Sequence, residues 1–281
     1  MDYVSPDGDR QYAAVVRAAD RLVVGLDFDG VLSPIVEDPS QAVIHPRGRE
    51  VLLALGQAVH GVVVITGRPA RQVLDLGGLD AIGAELGNLG RDLHVMGQYG
   101  NERWSSQDRR VIAPKPPHGI ATLTSELPAI LRRNDASAAY IEQKGLAVGV
   151  HTRRLPDPQA AFDRLVGPIE DAARRHGLVI EPGKLVIEVR APGMDKGAAV
   201  TRIADELGAG AFVFIGDDLG DVEAFKAVRE MGAEGRPTLL VCSGSPEESA
   251  LVPLADAVVD GPDGVMDFLQ ELVADIHDLR A

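Results

Sequence analysis

Short unbroken apolar runs punctuate the chain, and each stops on polar residues. Leu22-Val23-Val24-Gly25-Leu26 stops at Asp27, Val62-Val63-Val64-Ile65 at Thr66, and Ala211-Phe212-Val213-Phe214-Ile215 at Gly216-Asp217. An apolar run of this length without alternation is the pattern of a strand covered on both faces. Residues 238–242 repeat it. Between the runs the apolar period lengthens to that of a helix. Val51, Leu52, Leu55 and Val59 fall on one face of a helix predicted over residues 46–60, and Pro69 stands where the next helix would begin. Residues 198–207 and 265–279 also read as helices. Strand and helix in alternation predict an α/β fold: a parallel sheet with helices on both faces.

The texture changes in the middle. Pro114-Lys115-Pro116-Pro117 is a stiff joint. Beyond it the pattern predicts a helix over 120–133, a strand pair near 139–141 and 146–150, a helix over 159–176 and a strand over 185–189. That order fits a small α+β domain over 113–192, inserted into a core formed by 1–112 and 193–281. Gly193 marks the return to the core.

Composition narrows the partners. The formal net charge is −14, which disfavours nucleic acid and anionic membranes, both of which need a basic face. The excess falls outside residues 113–192, which are near balance and slightly basic. A small anionic substrate stays compatible, because a bound cation inverts the local field. The single Cys242, a start without signal-peptide character and the lack of a run near the ~20 residues of a membrane span predict a soluble, cytoplasmic protein; a monomer is expected, though these features do not fix the oligomeric state.

Polar residues collect just past three strand ends, where open α/β sheets bind ligands. In Asp27-Phe28-Asp29-Gly30 one carboxylate could attack phosphorus while the other moves a proton; a plain Asp/Gly turn is the alternative. Thr66-Gly67-Arg68 could hold an anion on a hydroxyl and backbone N–H groups, or Thr66 could simply cap a helix. Gly216-Asp217-Asp218, followed by Asp221, gathers carboxylates that repel unless a hard cation such as Mg²⁺ or solvent offsets them. Lys196, at a predicted helix start, offers a cation; a lone Lys is more often a surface residue.

Taken together and in this order, Asp27-x-Asp29, Thr66, Lys196 and Gly216-Asp217-Asp218-x-x-Asp221 resemble the four signatures of the haloacid-dehalogenase-like (HAD) phosphotransferases. That resemblance implies a HAD-type Rossmann-like core with an inserted α+β cap. It implies Asp27 as nucleophile, Asp29 as general acid/base, and Thr66 and Lys196 as phosphate and charge partners. It places Mg²⁺ on Asp27, the main-chain carbonyl of Asp29 and Asp217, with Asp218 and Asp221 in support. Within the superfamily the chain resembles trehalose-6-phosphate phosphatases. Asp27 to Ile35, Ile65-Thr66-Gly67-Arg68, Asp195-Lys196-Gly197 and Gly216 to Asp221 with Ala224-Phe225 carry the likeness in the core. Glu142-x-Lys144-Gly145, His151-x-Arg153, and Gly183-Lys184 through Glu188-x-Arg190 carry it in the insert. It implies that Gly67, Arg68, Glu142, Lys144, His151, Arg153, Lys184 and Glu188 bind a sugar phosphate, the insert acting as a lid. Read bare, Glu142 with Lys144 and His151 with Arg153 could be solvated strand pairs, and Trp104, the single Trp, reads as packing. Gly220, Val222 and Tyr99 depart from the family pattern.

The leading expectation is a Mg²⁺-dependent hydrolase of a phosphorylated disaccharide, trehalose 6-phosphate foremost. The alternatives are a glucosylglycerate or sucrose phosphate phosphatase, a non-catalytic sugar-phosphate sensor, and a phosphotransferase or mutase.

Overall fold

The computed structural model describes residues 2–36, 38–183, 185–193, 195–244 and 251–281. The chain divides into two compact units, one of Met1–Ala113 with Asp195–Ala281 and the other of Pro114–Met194. In chain order the first unit begins with β1 (Asp2–Tyr3), α1 (Gly8–Arg17), β2 (Leu22–Leu26), α2 (Gly48–Ala58) and β3 (Gly61–Ile65). It continues with α3 (Ala70–Gly77), α4 (Leu79–Asn88), β4 (Leu93–Gly97) and β5 (Glu102–Ser105). The second unit supplies α5 (His118–Arg133), β6 (Tyr140–Gln143), β7 (Ala147–His151), α6 (Pro158–Arg175), β8 (Val179–Gly183) and β9 (Val186–Arg190). The chain returns through α7 (Lys196–Leu207), β10 (Ala211–Gly216), α8 (Val222–Ala233), β11 (Thr238–Ser243), β12 (Ala257–Val259) and α9 (Gly261–Arg280).

Among the described residues the first unit holds an eight-stranded sheet in the order β1-β12-β11-β10-β2-β3-β4-β5. The pairs from β12 to β4 are parallel, and β1 and β5 close the two edges antiparallel. The unbroken apolar runs are the inner strands, and β2, β3 and β10 are buried at every position. One face packs on Tyr12 and Val15 of α1, Leu52 and Leu55 of α2, Leu79 and Ile82 of α4, and Phe268 and Leu272 of α9. The other face packs on Val200 and Ile203 of α7 and Phe225 and Val228 of α8. Each strand is therefore covered on both sides, which is why its sequence shows no alternation.

Among its described residues the second unit carries a four-stranded antiparallel sheet, β6-β7-β9-β8. Val148, Val150, Ile187 and Val189 turn one face onto α5 and α6, with Leu123, Leu127, Leu165 and Ile169. Alternation sends Glu142, Gly149 and Glu188, which lie side by side across three strands, to the opposite face.

The structure differs from the pattern in particular places. The helix expected from Pro69 is two helices, α3 and α4, divided at Gly78, whose φ of 57° is left-handed and breaks the ladder. β8 was not anticipated, because Pro and Gly inside Val179–Gly183 are residues that strand patterns disfavour. Trp104 lies on the edge strand β5, buried in the core, as packing requires. Among the described residues no helix is long and apolar enough to cross a membrane.

Candidate active site

β2 and β10 are parallel neighbours with Leu26 opposite Ile215, and β3 flanks β2 on its other side. The residues that follow them, Asp27, Asp217 and Thr66, therefore leave the sheet at the same edge. β2 is also where the sheet order turns back on itself, with β3 on one side and β10 on the other. Such switch points form the ligand crevice of open α/β sheets.

Asp27, Asp217, Asp218 and Asp221 each offer a carboxylate oxygen, and these atoms all lie within 4.8 Å of one another. Lys196, the first residue of α7, reaches into this cluster. Its Nζ lies 2.8 Å from Asp27 Oδ2 and 2.6 Å from Asp221 Oδ1. Asp195 caps α7 by accepting the Ala198 N–H at 2.8 Å, which fixes where the helix starts and so where Lys196 points. Asp221 spends its second oxygen on the main-chain N–H of Asp217, 3.0 Å away. Asp218 opens the turn into α8 by accepting from Gly220 N at 2.8 Å. That turn is short enough to carry Asp221 back beneath Asp217.

These groups are out of water: Lys196 is 3% exposed, Asp217 2% and Asp221 0%. Burial raises the pKa of Asp27 well above its ordinary value, with Lys196 opposing the rise and Asp221 and Asp218 adding to it. Burial, then Asp27, Asp218 and Asp221, push Asp217 up to about 9. Asp221 is raised by burial as well. On Lys196 burial opposes the charge, but Asp221, Asp27 and Asp218 outweigh it and hold its pKa well above the usual Lys value. One ammonium against four carboxylates leaves negative charge uncompensated. An oxygen-only donor set of this kind fits a hard divalent cation. The backbone leaves it room: Gly30 has a φ of 70°, and a Cβ there would lie 2.1 Å from Asp217 Oδ2.

Thr66 is buried, and its hydroxyl accepts from the Arg68 N–H at 3.1 Å. It does not cap the next helix, since α3 begins at Ala70. The first N–H of α3 donates instead to Glu102 Oε2 at 2.6 Å, so the chain supplies its own anion there. Arg68 forks Asp29, with Nε 2.6 Å from Oδ2 and Nη2 2.7 Å from Oδ1, and its Nη1 reaches the Pro39 carbonyl at 2.7 Å.

On the sheet face of the second unit, Glu142 Oε2 lies 2.8 Å from His151 Nε2, and Lys144 Nζ lies 2.5 Å from Glu188 Oε2. Lys144 is 3.9 Å from Glu142 as well, so the four residues form one chain of charges. Gly149 leaves the floor between Glu142 and Glu188 bare, and a Cβ there would meet His151 Nε2 at 3.2 Å. Glu188 Oε1 is buried without a hydrogen-bond partner among the described residues. Arg153 is exposed in the turn beyond β7, past the end of the strand. Lys184 lies outside the described residues.

Two contributors have no sequence motif. Ser243, at the end of β11, donates its hydroxyl to the Gly30 carbonyl at 2.6 Å and pins the turn after Asp29. It could have been found as the polar residue that ends a fourth apolar strand. Glu102 gave no such signal, since it lies 32 residues from Ala70.

Comparison with known proteins agrees with this geometry. The trehalose-phosphatase family model matches residues 25–258. An uncharacterized glycosyl hydrolase of Mycobacterium tuberculosis is 32% identical over 240 residues, covering 81% of this chain and 17% of that protein, so the chain spans about a sixth of that relative's length. A probable trehalose-phosphate phosphatase 9 of Oryza sativa subsp. japonica is 27% identical over 95% of this chain and 74% of its own. The solved C-terminal domain of the Candida albicans trehalose-6-phosphate phosphatase superposes with a TM-score of 0.75 at 19% identity, covering 97% of this chain and 98% of that one, a likeness of fold. With its parallel sheet and with the acidic motifs at the strand ends, the chain has the haloacid-dehalogenase-like fold and belongs to the trehalose-phosphatase family of phosphoric monoester hydrolases.

Proposed function

We propose that the chain hydrolyses trehalose 6-phosphate to trehalose and phosphate, with Mg²⁺, through a covalent intermediate on Asp27. The observation that carries this reading is the buried Asp27–Lys196–Asp221 arrangement with Asp217 alongside, in a chain of the trehalose-phosphatase family. Asp27, Asp217 and the main-chain carbonyl of Asp29 would hold the cation, with Asp218 and Asp221 in support. When bound, it neutralises charge on the phosphoryl oxygens.

An Asp27 carboxylate oxygen attacks phosphorus as the bond from phosphorus to the sugar oxygen breaks. The sugar oxygen leaves with the electron pair and takes a proton from Asp29, which gives the free alcohol. Water then passes a proton to the Asp29 carboxylate while its oxygen attacks the same phosphorus. The bond to Asp27 breaks, and inorganic phosphate departs. Lys196 holds Asp27 in place and offsets the phosphate charge, and the Thr66 hydroxyl and the Gly67 N–H take phosphoryl oxygens. The unit 114–194 selects the sugar, with Glu142, Lys144, His151, Arg153, Lys184 and Glu188 as hydroxyl partners. The buried acceptor on Glu188 and the bare floor at Gly149 support that role.

The test is phosphate release with Mg²⁺ over a panel of disaccharide, glycoside and simple phosphate esters, with Asp27→Asn alongside. The reading expects trehalose 6-phosphate to give the highest kcat/KM and Asp27→Asn to be inactive. No release from any disaccharide phosphate, or full activity in Asp27→Asn, defeats it.

A further inference from the structure

Arg68 and Asp29 are 39 residues apart in the chain, yet they meet in a two-bond fork. Everything that surrounds Arg68 fixes it before Asp29 is considered. Its N–H donates to Thr66 Oγ1, and its carbonyl accepts from Gln98 N at 2.8 Å. Its guanidinium lies 6.0 Å from the centre of the Phe28 ring, the residue between the two motif carboxylates. Its third nitrogen is tied to the Pro39 carbonyl. The preceding Gly67 lies under Tyr99, and a Cβ there would come 2.9 Å from the ring and its hydroxyl. The Arg68 side chain is 13% exposed against 37% for Asp29. Arg68 is thus the fixed member of the pair and Asp29 the one being oriented.

We infer that Arg68 is a positioning residue that acts through Asp29 and sets the direction of proton delivery to the leaving oxygen. The inference rests on the reading of Asp29 as the general acid. A carboxylate has about four lone-pair sites. The fork engages both oxygens and leaves a site on each for the proton. As the phosphorus–oxygen bond breaks, its electron pair stays on the sugar oxygen, the proton passes there from Asp29, and Asp29 is left as the carboxylate that Arg68 grips. A planar guanidinium with two parallel bonds fixes the plane of the carboxyl group, which a single point charge would not. Accurate aim of this kind is what an acid–base group needs to contribute.

The experiment compares two substrates with leaving groups of different quality, trehalose 6-phosphate and p-nitrophenyl phosphate, in the wild type, Arg68→Ala, Arg68→Lys, Asp29→Asn and Arg68→Ala/Asp29→Asn. The quantity read is kcat/KM, which ends at departure of the leaving group and excludes hydrolysis of the covalent intermediate. A sugar alkoxide needs the proton and p-nitrophenolate does not. Arg68→Ala should lower kcat/KM for the sugar phosphate by about ten- to a hundredfold, a share of the ~10²–10⁴ that a positioned acid–base group supplies, and for p-nitrophenyl phosphate by a distinctly smaller factor. Arg68→Lys should recover part of the loss. In the Asp29→Asn background, Arg68→Ala should add nothing, because its only route is gone. Equal losses on both substrates, or a full additional loss in the double variant, would overturn the inference and make Arg68 a phosphate ligand or a structural residue. If Asp29→Asn itself shows no preference between the substrates, the acid role of Asp29 falls, and the inference falls with it. Arg68→Lys keeps the test readable should Arg68→Ala fold poorly.

Discussion

Lys196 Nζ lies 2.6 Å from Asp221 Oδ1, and neither side chain is in contact with solvent to any useful extent. A buried pair of this kind is costly to assemble and costlier to break from one side, at about 3–5 kcal/mol. Lys196→Met leaves Asp27 and Asp221 buried together without their cation. It should therefore destabilise the fold by about that amount, seen as a lower urea midpoint, as well as abolish phosphate release. An unchanged midpoint would mean that the carboxylates are neutral in the folded protein.

Divalent cation binding should register as stability, apart from turnover. At a hundredfold excess of Mg²⁺ over its Kd, a site present only in the native state adds about 2.7 kcal/mol. Thermal unfolding with Mg²⁺ and with a chelator should differ by several degrees in the wild type, and Asp217→Asn should lose most of the difference. A shift of the same size in that variant would place the cation elsewhere.

Gly30→Ala is expected to be inactive. The new Cβ would come 2.1 Å from Asp217 Oδ2, on a residue whose φ of 70° disfavours any side chain. The backbone contribution alone is about 1–2 kcal/mol. The check is joint: lower melting temperature together with lost Mg²⁺ response. Retained Mg²⁺ response would show that Asp217 moves aside without leaving the metal site.

Glu142→Ala should raise KM for trehalose 6-phosphate by about ten- to a hundredfold, as lost uniform binding does, and leave p-nitrophenyl phosphate unaffected. Equal effects on both substrates would return Glu142 to an internal partner of His151.

His94, on β4, supplies a pH dependence outside the acidic cluster. Burial lowers its pKa below the ordinary 6.5, against the opposing pull of Asp92 at 3.4 Å. The unfolded chain then binds a proton near pH 6.5 that the native chain takes up only at lower pH. Stability attributable to His94 is full above that value and declines as pH falls through it. Urea midpoints measured from pH 8 to 5.5 should fall less steeply in His94→Gln than in the wild type. Parallel curves would contradict the assignment.

The strands that build the site were legible because they are covered on both faces. Nothing but continuous burial explains Val62-Val63-Val64-Ile65, and a polar residue after such a run can only lie at a sheet edge. Hence Asp27, Thr66 and Asp217 could be placed at one edge from sequence. What could not be read were relationships across sequence distance. No local pattern in Thr66-Gly67-Arg68 says that Arg68 turns to Asp29, or that Glu102 rather than Thr66 serves the start of α3. α1 was missed because its apolar stripe of Tyr12, Val15 and Val16 is short. β8 was missed because it lies at the edge of its sheet, where an exposed residue such as Glu181 breaks the apolar pattern.

The split of the first unit around residues 114–194 has a consequence for the order of assembly. Asp27 precedes the insert, and Lys196, Asp217 and Asp221 follow it, so β2 cannot acquire β10 until the whole second unit has been synthesised. Until then the β2 side carries Asp27 and Asp29 with a ready-made partner only for Asp29, since Arg68 also precedes the insert. Asp27 must wait for Lys196, which arrives on the same stretch of chain as Asp217 and Asp221. The crowding of acidic groups and its cationic relief are therefore both supplied by one segment, residues 196–221, which carries α7 and β10. A nascent chain that stops short of that strand lacks the central partner of β2 and is spared the crowding of Asp27 by Asp217, Asp218 and Asp221.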